Sequence, residues 1–273
     1  MRLRFSRGVI TIAIIVVVLA VGISVGLFNL LKKTKPLAVA PEPHCTVRTP
    51  LGERELDFEQ AEISATIAAV AARRRLPERA LVIAYATALQ ESKIYNLPDG
   101  DRDSVGVFQQ RESQGWGTKK QIMDPVYATN KFFAALEKVK NYRKLPVAEA
   151  AQEVQRSAGG YAYAQHEPEA KLLAAAFTGR VPRAVHCWYP PGKKTPAPQP
   201  RTAEARKQLA RALGSTAVTS ERRGWLIAAW SVSFSQKYAL RQVGYAGATW
   251  KNDDKLENWQ TAGKAGTTQV ELS

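Results

Sequence analysis

The acidic residue Glu91 is the side chain best placed for chemistry, because the sequence puts it at the end of a predicted helix over 77–90. Leu81, Ala84 and Ala88 lead up to it at spacings of three, four and three residues, so all four side chains share one helical face. A carboxyl group set against apolar side chains is desolvated, which favours its protonated form. The pattern therefore predicts a carboxylic acid that can donate a proton in catalysis.

The residues that follow Glu91 extend this observation into a motif. Ser92 comes next, the apolar Ile94 lies two positions further on, and after a polar loop the chain reads Gly-Val-Phe-Gln at 106–109. These residues resemble the lytic transglycosylase and goose-type lysozyme family, which carries a Glu-Ser-x-Phe helix end and a Gly-Leu-Met-Gln segment. The likeness is specific over 89–110. With the next seven residues it is also similar to lysozyme-like domains of membrane-tethered actinobacterial proteins.

The resemblance implies a reaction for Glu91. The expected reaction is cleavage of the β-1,4 bond between N-acetylmuramic acid and N-acetylglucosamine in peptidoglycan, with Glu91 protonating the glycosidic oxygen. In a transglycosylase the same residue then acts as a base on the muramoyl C6 hydroxyl, whereas a lysozyme activates water. Asp101, Asp103 and Glu112 stay open as the second carboxylate of such a hydrolase. The resemblance implies peptidoglycan glycan strands as the partner, and neither a metal nor an organic cofactor.

The remaining predicted site residues would bind the glycan. They are Ser92, Ser104, Gly106, Gln109, Gln110, Trp116 and Tyr163. Ser92 would support Glu91 by a hydrogen bond, and Trp116 would either stack on a sugar or cover the core. The resemblance also implies a tyrosine beside the acid, for which Tyr163 is the nearest match and Tyr161 the alternative.

The N-terminal stretch 9–31 contains 23 consecutive residues without a charge, mainly Val, Ile and Leu. As a helix it would be ~35 Å long, enough to cross a hydrocarbon core of ~30 Å. We therefore predict a transmembrane signal-anchor within 1–31, a single-pass location in the cell membrane and an extracellular remainder. A cleaved signal peptide is the alternative, although its apolar region is usually only ~7–15 residues long.

The chain has two cysteines, Cys45 and Cys187, and both follow the apolar stretch. Outside the cytoplasm two such cysteines usually pair, so we predict a disulfide. Each cysteine also follows a histidine, His44 and His186, which offers a Cys2His2 zinc site as the alternative. Neighbouring residues of an extended chain point to opposite sides, which disfavours that zinc site.

Composition completes the predicted organisation. The net charge of +15 predicts an anionic partner, such as lipid head groups or anionic cell-wall polymers, and the membrane segment argues against nucleic acid. The predicted fold is mainly α, with a lysozyme-like helical domain at 51–187 behind the transmembrane helix. A Pro/Lys-rich tether at 32–50 precedes that domain, and a Pro-rich linker at 188–200 leads to a small basic α/β module at 201–273.

These observations predict a peptidoglycan-cleaving enzyme that works with a single catalytic glutamate. The alternative is a non-catalytic lysozyme-like protein that binds envelope glycans, within a secretion or conjugation machine. A third interpretation is a basic membrane protein whose C-terminal module recruits another protein. Motifs alone do not separate these functions, because function belongs to the complete site.

Overall fold

The computed structural model describes residues 7–33, 42–156, 160–190, 198–252, 259–261 and 266–273. The helices are α1 (Arg7–Lys33), α2 (Phe58–Arg73), α3 (Glu78–Ser92), α4 (Lys119–Ile122), α5 (Pro125–Leu136), α6 (Val147–Gln155), α7 (Glu167–Phe177), α8 (Thr202–Leu213), α9 (Glu221–Ser233) and α10 (Ser235–Tyr238). The strands are β1 (His44–Thr49), β2 (Gly52–Leu56), β3 (Ser104–Val105), β4 (Gln110–Arg111), β5 (Val185–Trp188), β6 (Gln242–Tyr245), β7 (Ala248–Lys251) and β8 (Glu271–Leu272). Glu112–Gln114 and Gly160–His166 form 3₁₀ helices. The chain divides into two compact units, Met1–Glu42 and Pro43–Ser273.

The first unit contains α1, and here the structure corrects the sequence prediction. Among the residues that the structure describes, no helix has both the length and the apolarity needed to cross a membrane. The predicted transmembrane signal-anchor at 1–31, and with it the single-pass membrane location and the extracellular placement of the remainder, is therefore not supported.

The second unit is built mainly from helices around one apolar core. Helices make up 54% of the structure, and the sheets are small and antiparallel. Helix α3 is central, because it packs against α2, α5, α6 and α7. Asp57 caps the N-terminus of α2: its carboxylate accepts a hydrogen bond from the Gln60 backbone N–H, and the Asp57 backbone N–H donates to the Gln60 side-chain oxygen.

The end of α3 is fixed by an apolar side chain. Lys93 and Ile94 both adopt left-handed backbone conformations, with φ of 55° and 64°. Their backbone N–H groups donate to Leu89 and Ala88, which satisfies carbonyl groups of the last helical turn. Ile94 is completely buried. Its side chain therefore holds the helix end, and Glu91 with it, against the core.

A three-stranded antiparallel sheet, in the order β2-β1-β5, joins the beginning of the second unit to residues near 188. Cys45 on β1 lies directly opposite Cys187 on β5, and the two form a disulfide. The predicted pairing is thus present in the structure. Since both sulfurs are used in this bond, neither is available as the thiolate that the alternative zinc site requires.

The residues beyond 198 belong to the same compact unit as the preceding helices. Helix α9 packs on α2 and β5, and β6 pairs with both β7 and β8. Two indole N–H groups tie this region to β5: Trp250 donates to the Cys187 carbonyl at 3.0 Å, and Trp259 donates to the Val185 carbonyl at 2.9 Å. The segment 201–273 has the expected helices and small sheet. Most of the predicted linker, 191–197, lies outside the described residues.

Candidate active site

The centre of the site is a hydrogen bond between Tyr163 and Glu91. The Tyr163 hydroxyl donates to Glu91 Oε1 at 2.6 Å. Tyr163 is buried, with 1% of its surface exposed, whereas Glu91 is partly exposed at the end of α3. Glu91 forms no ion pair with any described residue. The site thus presents a partly exposed carboxyl group that is oriented by a buried phenol.

The 3₁₀ helix Gly160–His166 delivers Tyr163, and its C-terminal end is docked on α3 by Gln90. The Gln90 side-chain oxygen accepts a hydrogen bond from Gln165 Nε2 at 3.3 Å and lies 3.0 Å from His166 Nε2. Burial lowers the pKa of His166, although the Glu169 carboxylate opposes this effect. Sequence reasoning did not identify Gln90, Gln165 or His166, because their contacts join segments about 75 residues apart.

Ser92 supports the site through the backbone. Its hydroxyl lies 2.7 Å from the Val107 carbonyl and 3.1 Å from the Ala88 carbonyl. The sequence predicted a hydrogen bond from Ser92 to Glu91, but the Ser92 hydroxyl bonds to these two carbonyl groups. The side chains of consecutive helical residues point in directions about 100° apart, which separates Ser92 from the Glu91 carboxyl group. Next to Val107, the Phe108 carbonyl accepts a hydrogen bond from Gln155 Nε2 at 2.7 Å. Ser92 and Gln155 therefore fix the chain at 107–108 beside the end of α3.

The predicted glycan-binding segment forms a short hairpin of β3 and β4. Gly106 has a φ of 79°, and a Cβ there would lie 3.0 Å from the Ile122 carbonyl, so the turn needs glycine. Ser104 and Gln110 are buried, and the Gln110 amide donates to the Ala128 carbonyl at 3.2 Å. Gln109 is partly exposed and bonds to the backbone of the same turn. Of these four residues, only Gln109 combines a polar side chain with exposure, while the other three shape the hairpin.

The three candidates for a second carboxylate lie in different surroundings. Asp103 accepts hydrogen bonds from Arg111 Nε at 2.6 Å and from the Ser113 backbone N–H at 2.8 Å. Glu112 accepts one from the Lys119 backbone N–H at 2.9 Å, at the start of α4. The Asp101 side chain is 90% exposed. Two of the three carboxylates are thus occupied by local structure, and none contacts Glu91.

Asp103 gives a testable pH dependence. The Ser113 backbone N–H lowers the pKa of Asp103 well below its usual range, and Arg111 and the Ser113 hydroxyl add to this. A lowered pKa stabilises the fold fully above the unfolded value of ~3.9, and this stabilisation is lost progressively as the pH falls towards the lowered folded-state pKa. We expect Asp103→Asn to lower the thermal unfolding midpoint at pH 6, with a difference that narrows below about pH 4 and closes only in strong acid. Asp101→Asn is the control and should match the wild type; a difference for Asp103→Asn that does not vary with pH would contradict this role.

A groove lies between α5 and α6 and ends at Trp116. Its volume is about 940 Å³. We call it the basic groove, and define it by its charged and aromatic lining residues Trp116, Lys131, Lys138, Lys140, Glu153 and Arg156. Trp116 is partly buried against the core, and its backbone carbonyl accepts a hydrogen bond from the Tyr127 hydroxyl at 3.2 Å. The indole therefore covers the core, as one of the two alternatives for Trp116 predicts, and it also lines an open groove.

The geometry of Glu91 and Tyr163 is the basis for assigning a function to this chain. No protein-family model matches the chain, and no curated protein shows significant similarity to it. The structure brings together Glu91 and Tyr163, which are 72 residues apart in the sequence. A partly exposed carboxyl group held by one hydrogen bond is suited to proton transfer to a bound substrate.

Proposed function

We propose that this chain is a peptidoglycan-cleaving glycosidase of the lytic transglycosylase type, with Glu91 as its single acid and base. The observation that carries the proposal is the hydrogen bond from Tyr163 to Glu91. The resemblance of the Glu91 and Gly106–Gln109 segments to that family implies a tyrosine beside the acid. Tyr163, the match chosen on that ground, occupies this place in the structure. Among the described residues no second carboxylate contacts Glu91, which favours the transglycosylase route over a hydrolase with two acids.

The reaction uses the Glu91 carboxyl group twice, first as an acid and then as a base. In the first step the protonated carboxyl group transfers its proton to the glycosidic oxygen, the bond from this oxygen to the muramoyl C1 breaks, and an oxocarbenium-like centre develops at C1. In the second step the Glu91 carboxylate removes the proton of the C6 hydroxyl while O6 forms a bond to C1. The products are a free 4-hydroxyl and a 1,6-anhydro ring, so no water is consumed. Glu91 ends the cycle protonated again.

Tyr163 orients the acid in both steps. Its hydroxyl occupies Oε1, which leaves Oε2 as the oxygen that faces the substrate. A phenol donor also stabilises the carboxylate formed after the first transfer, because hydrogen bonds to an ionised acceptor are stronger than those to a neutral one. This arrangement supports a role as both acid and base.

One general property supports this substrate. The net charge of +15 favours association with an anionic polymer network. The charge does not identify the substrate by itself, but it agrees with the chemistry that the Glu91–Tyr163 pair allows.

The test is digestion of purified peptidoglycan by the full chain, with the products separated and weighed by mass spectrometry. We expect fragments with 1,6-anhydromuramoyl ends, each one water lighter than a hydrolysed end. Hydrolysed ends alone would make the enzyme a lysozyme and direct attention to Asp101, the exposed acid of the 99–103 loop. If no peptidoglycan is cleaved under any condition, the proposal fails and the glycan-binding alternative takes its place.

A further inference from the structure

We propose that the basic groove binds the anionic groups of an acidic saccharide and so extends the glycan site beyond Glu91. This inference rests on the proposed function for the identity of the neighbouring site. The binding itself can be measured without any cleavage. The ligand that we propose is a sugar chain with carboxylate or phosphate substituents, and not a neutral glycan.

The first argument is the unbalanced charge of the groove. Lys131, Lys138, Lys140 and Arg156 line it together with a single acid, Glu153. None of these four cations is ion-paired within the described part of the chain. A concave surface lined by charges of one sign concentrates its field and attracts ligands of the opposite sign.

Some cations elsewhere in the described chain are ion-paired: Arg74 pairs with Glu137, and Arg111 pairs with Asp103 at 2.6 Å. The Lys131 ammonium group lies 5.4 Å from the centre of the Tyr127 ring, a cation–π contact. All four groove cations line a cavity of about 940 Å³. That space is large enough for several sugar units.

The second argument is the kind of side chains between the cations. Trp116 presents a partly exposed indole, which can lie against the apolar face of a sugar ring. Gln114, Gln152 and Gln155 supply amide groups along the same groove, and amides both donate and accept hydrogen bonds. An aromatic ring, amides and cations together match a sugar chain with acidic substituents better than they match a purely ionic polymer.

The residues at the C-terminal end of α5 also suit an extended ligand. Lys131, Ala134 and Ala135 lie on α5, Lys138 lies in the turn that follows this helix, and all four line the groove. The two alanines are small, so a ligand can approach the helix closely between the lysines. Two cations placed in this way along the groove can contact anionic groups on successive units of one chain.

The third argument connects the groove to Glu91. Gln155 lines the groove, and its Nε2 donates to the Phe108 carbonyl at 2.7 Å. The preceding residue, Val107, accepts a hydrogen bond from Ser92 at 2.7 Å, and Ser92 is adjacent to Glu91. Gln155, which lines the groove, and Ser92, which is next to the acid, are thus hydrogen-bonded to two consecutive residues, Phe108 and Val107. A saccharide in the groove would be held next to the chain that supports the catalytic carboxyl group.

The experiment measures binding of the full chain, with Glu91→Gln present throughout to prevent turnover. The test variant adds Lys131→Gln, Lys138→Gln and Arg156→Gln. The matched control adds Arg75→Gln, Lys207→Gln and Lys251→Gln, which remove the same charges from exposed positions outside the groove. The probes are a muramyl-peptide oligosaccharide, a phosphate-substituted polysaccharide and neutral chitotetraose, each titrated by calorimetry at low and at high salt.

We expect the test variant to bind the acidic probes about ten-fold more weakly than the control at low salt, because each exposed charge contact changes an affinity by roughly two- to five-fold. The difference should shrink at high salt, where such contacts are screened. Chitotetraose should bind both variants equally. The better of the two acidic probes identifies carboxylate or phosphate as the natural anion. Lys138→Glu alone should act in the same direction if the triple variant does not fold.

Equal binding of the acidic probes by the test and control variants would overturn the inference. So would an equal loss of chitotetraose, since the groove would then recognise the sugar and not its charge. Groove-dependent binding by a chain that never cleaves peptidoglycan would leave this inference standing while the proposed function fails. Cleavage of peptidoglycan without groove-dependent binding would support the proposed function and refute this inference.

Discussion

Replacing Glu91 by glutamine is expected to lower the rate of peptidoglycan cleavage by about 10²–10⁴-fold, because an amide has no proton to transfer to the glycosidic oxygen. The same residue serves as the base of the second step, so the loss should lie towards the upper end of this range. Glutamine has nearly the same shape as glutamate, and its oxygen can still accept the hydrogen bond from Tyr163. The fold should therefore be retained.

Two further variants make this prediction specific. Glu112→Gln removes a nearby acid that bonds to the Lys119 backbone N–H, and it should leave the cleavage rate within a few-fold of the wild type. Tyr163→Phe keeps the buried ring but removes the donor to Glu91, and its effect should fall between those of the other two. Rates are measured by the release of soluble fragments, with circular dichroism as the check on folding. A folded Glu91→Gln protein that cleaves at the wild-type rate would refute the assignment of the acid.

Removing the disulfide is expected to have the largest effect on stability. Cys45 and Cys187 are 142 residues apart in the sequence, so the bond closes a long loop in the unfolded chain. In the chain-entropy model a loop of this length stabilises the fold by roughly 4–5 kcal/mol. We expect the double variant Cys45→Ala with Cys187→Ala to have a free energy of unfolding lower by about that amount, because a loop of ~100 residues corresponds to about 4.7 kcal/mol.

The measurement is unfolding in urea, followed by tryptophan fluorescence. Reductant is the matched control: it should lower the wild-type midpoint to that of the double variant and should leave the double variant unchanged. A double variant as stable as the oxidised wild type would show that the sheet β2-β1-β5 holds its register without the covalent bond.

The position of Glu91 could be predicted from the sequence, because it depends on local helical spacing. Leu81, Ala84 and Ala88 are buried, but so is every residue from 80 to 89, so α3 is enclosed on all sides and not along one apolar face. The cysteine pairing was also predictable, since the chain has no other cysteine. Tyr163 was reached only through the resemblance, and nothing in the local sequence connects it to the acid.

The parts that sequence reasoning missed depend on contacts between distant segments or on unusual backbone conformations. One example lies in the stretch 242–250, where Ala246 and Gly247 both have positive φ, of 49° and 75°. Two such residues form the tight turn of a hairpin, which here joins β6 to β7. In the sequence, the Ala246-Gly247 pair is the feature that indicates this turn. The apolar stretch 9–31 is a different case. Its composition predicts a membrane-spanning helix, but no helix among the described residues is long and apolar enough to cross a membrane.

The disulfide has a consequence for how the folded chain responds to proteolysis. Because Cys45 and Cys187 are joined, residues 45–187 form a covalently closed ring that includes Glu91, Tyr163 and the basic groove. A protease that cuts once inside this ring leaves two pieces that remain attached to each other. Two cuts are needed to release any fragment from the site. The site thus has a tolerance to backbone damage that the open chain beyond residue 198 does not share.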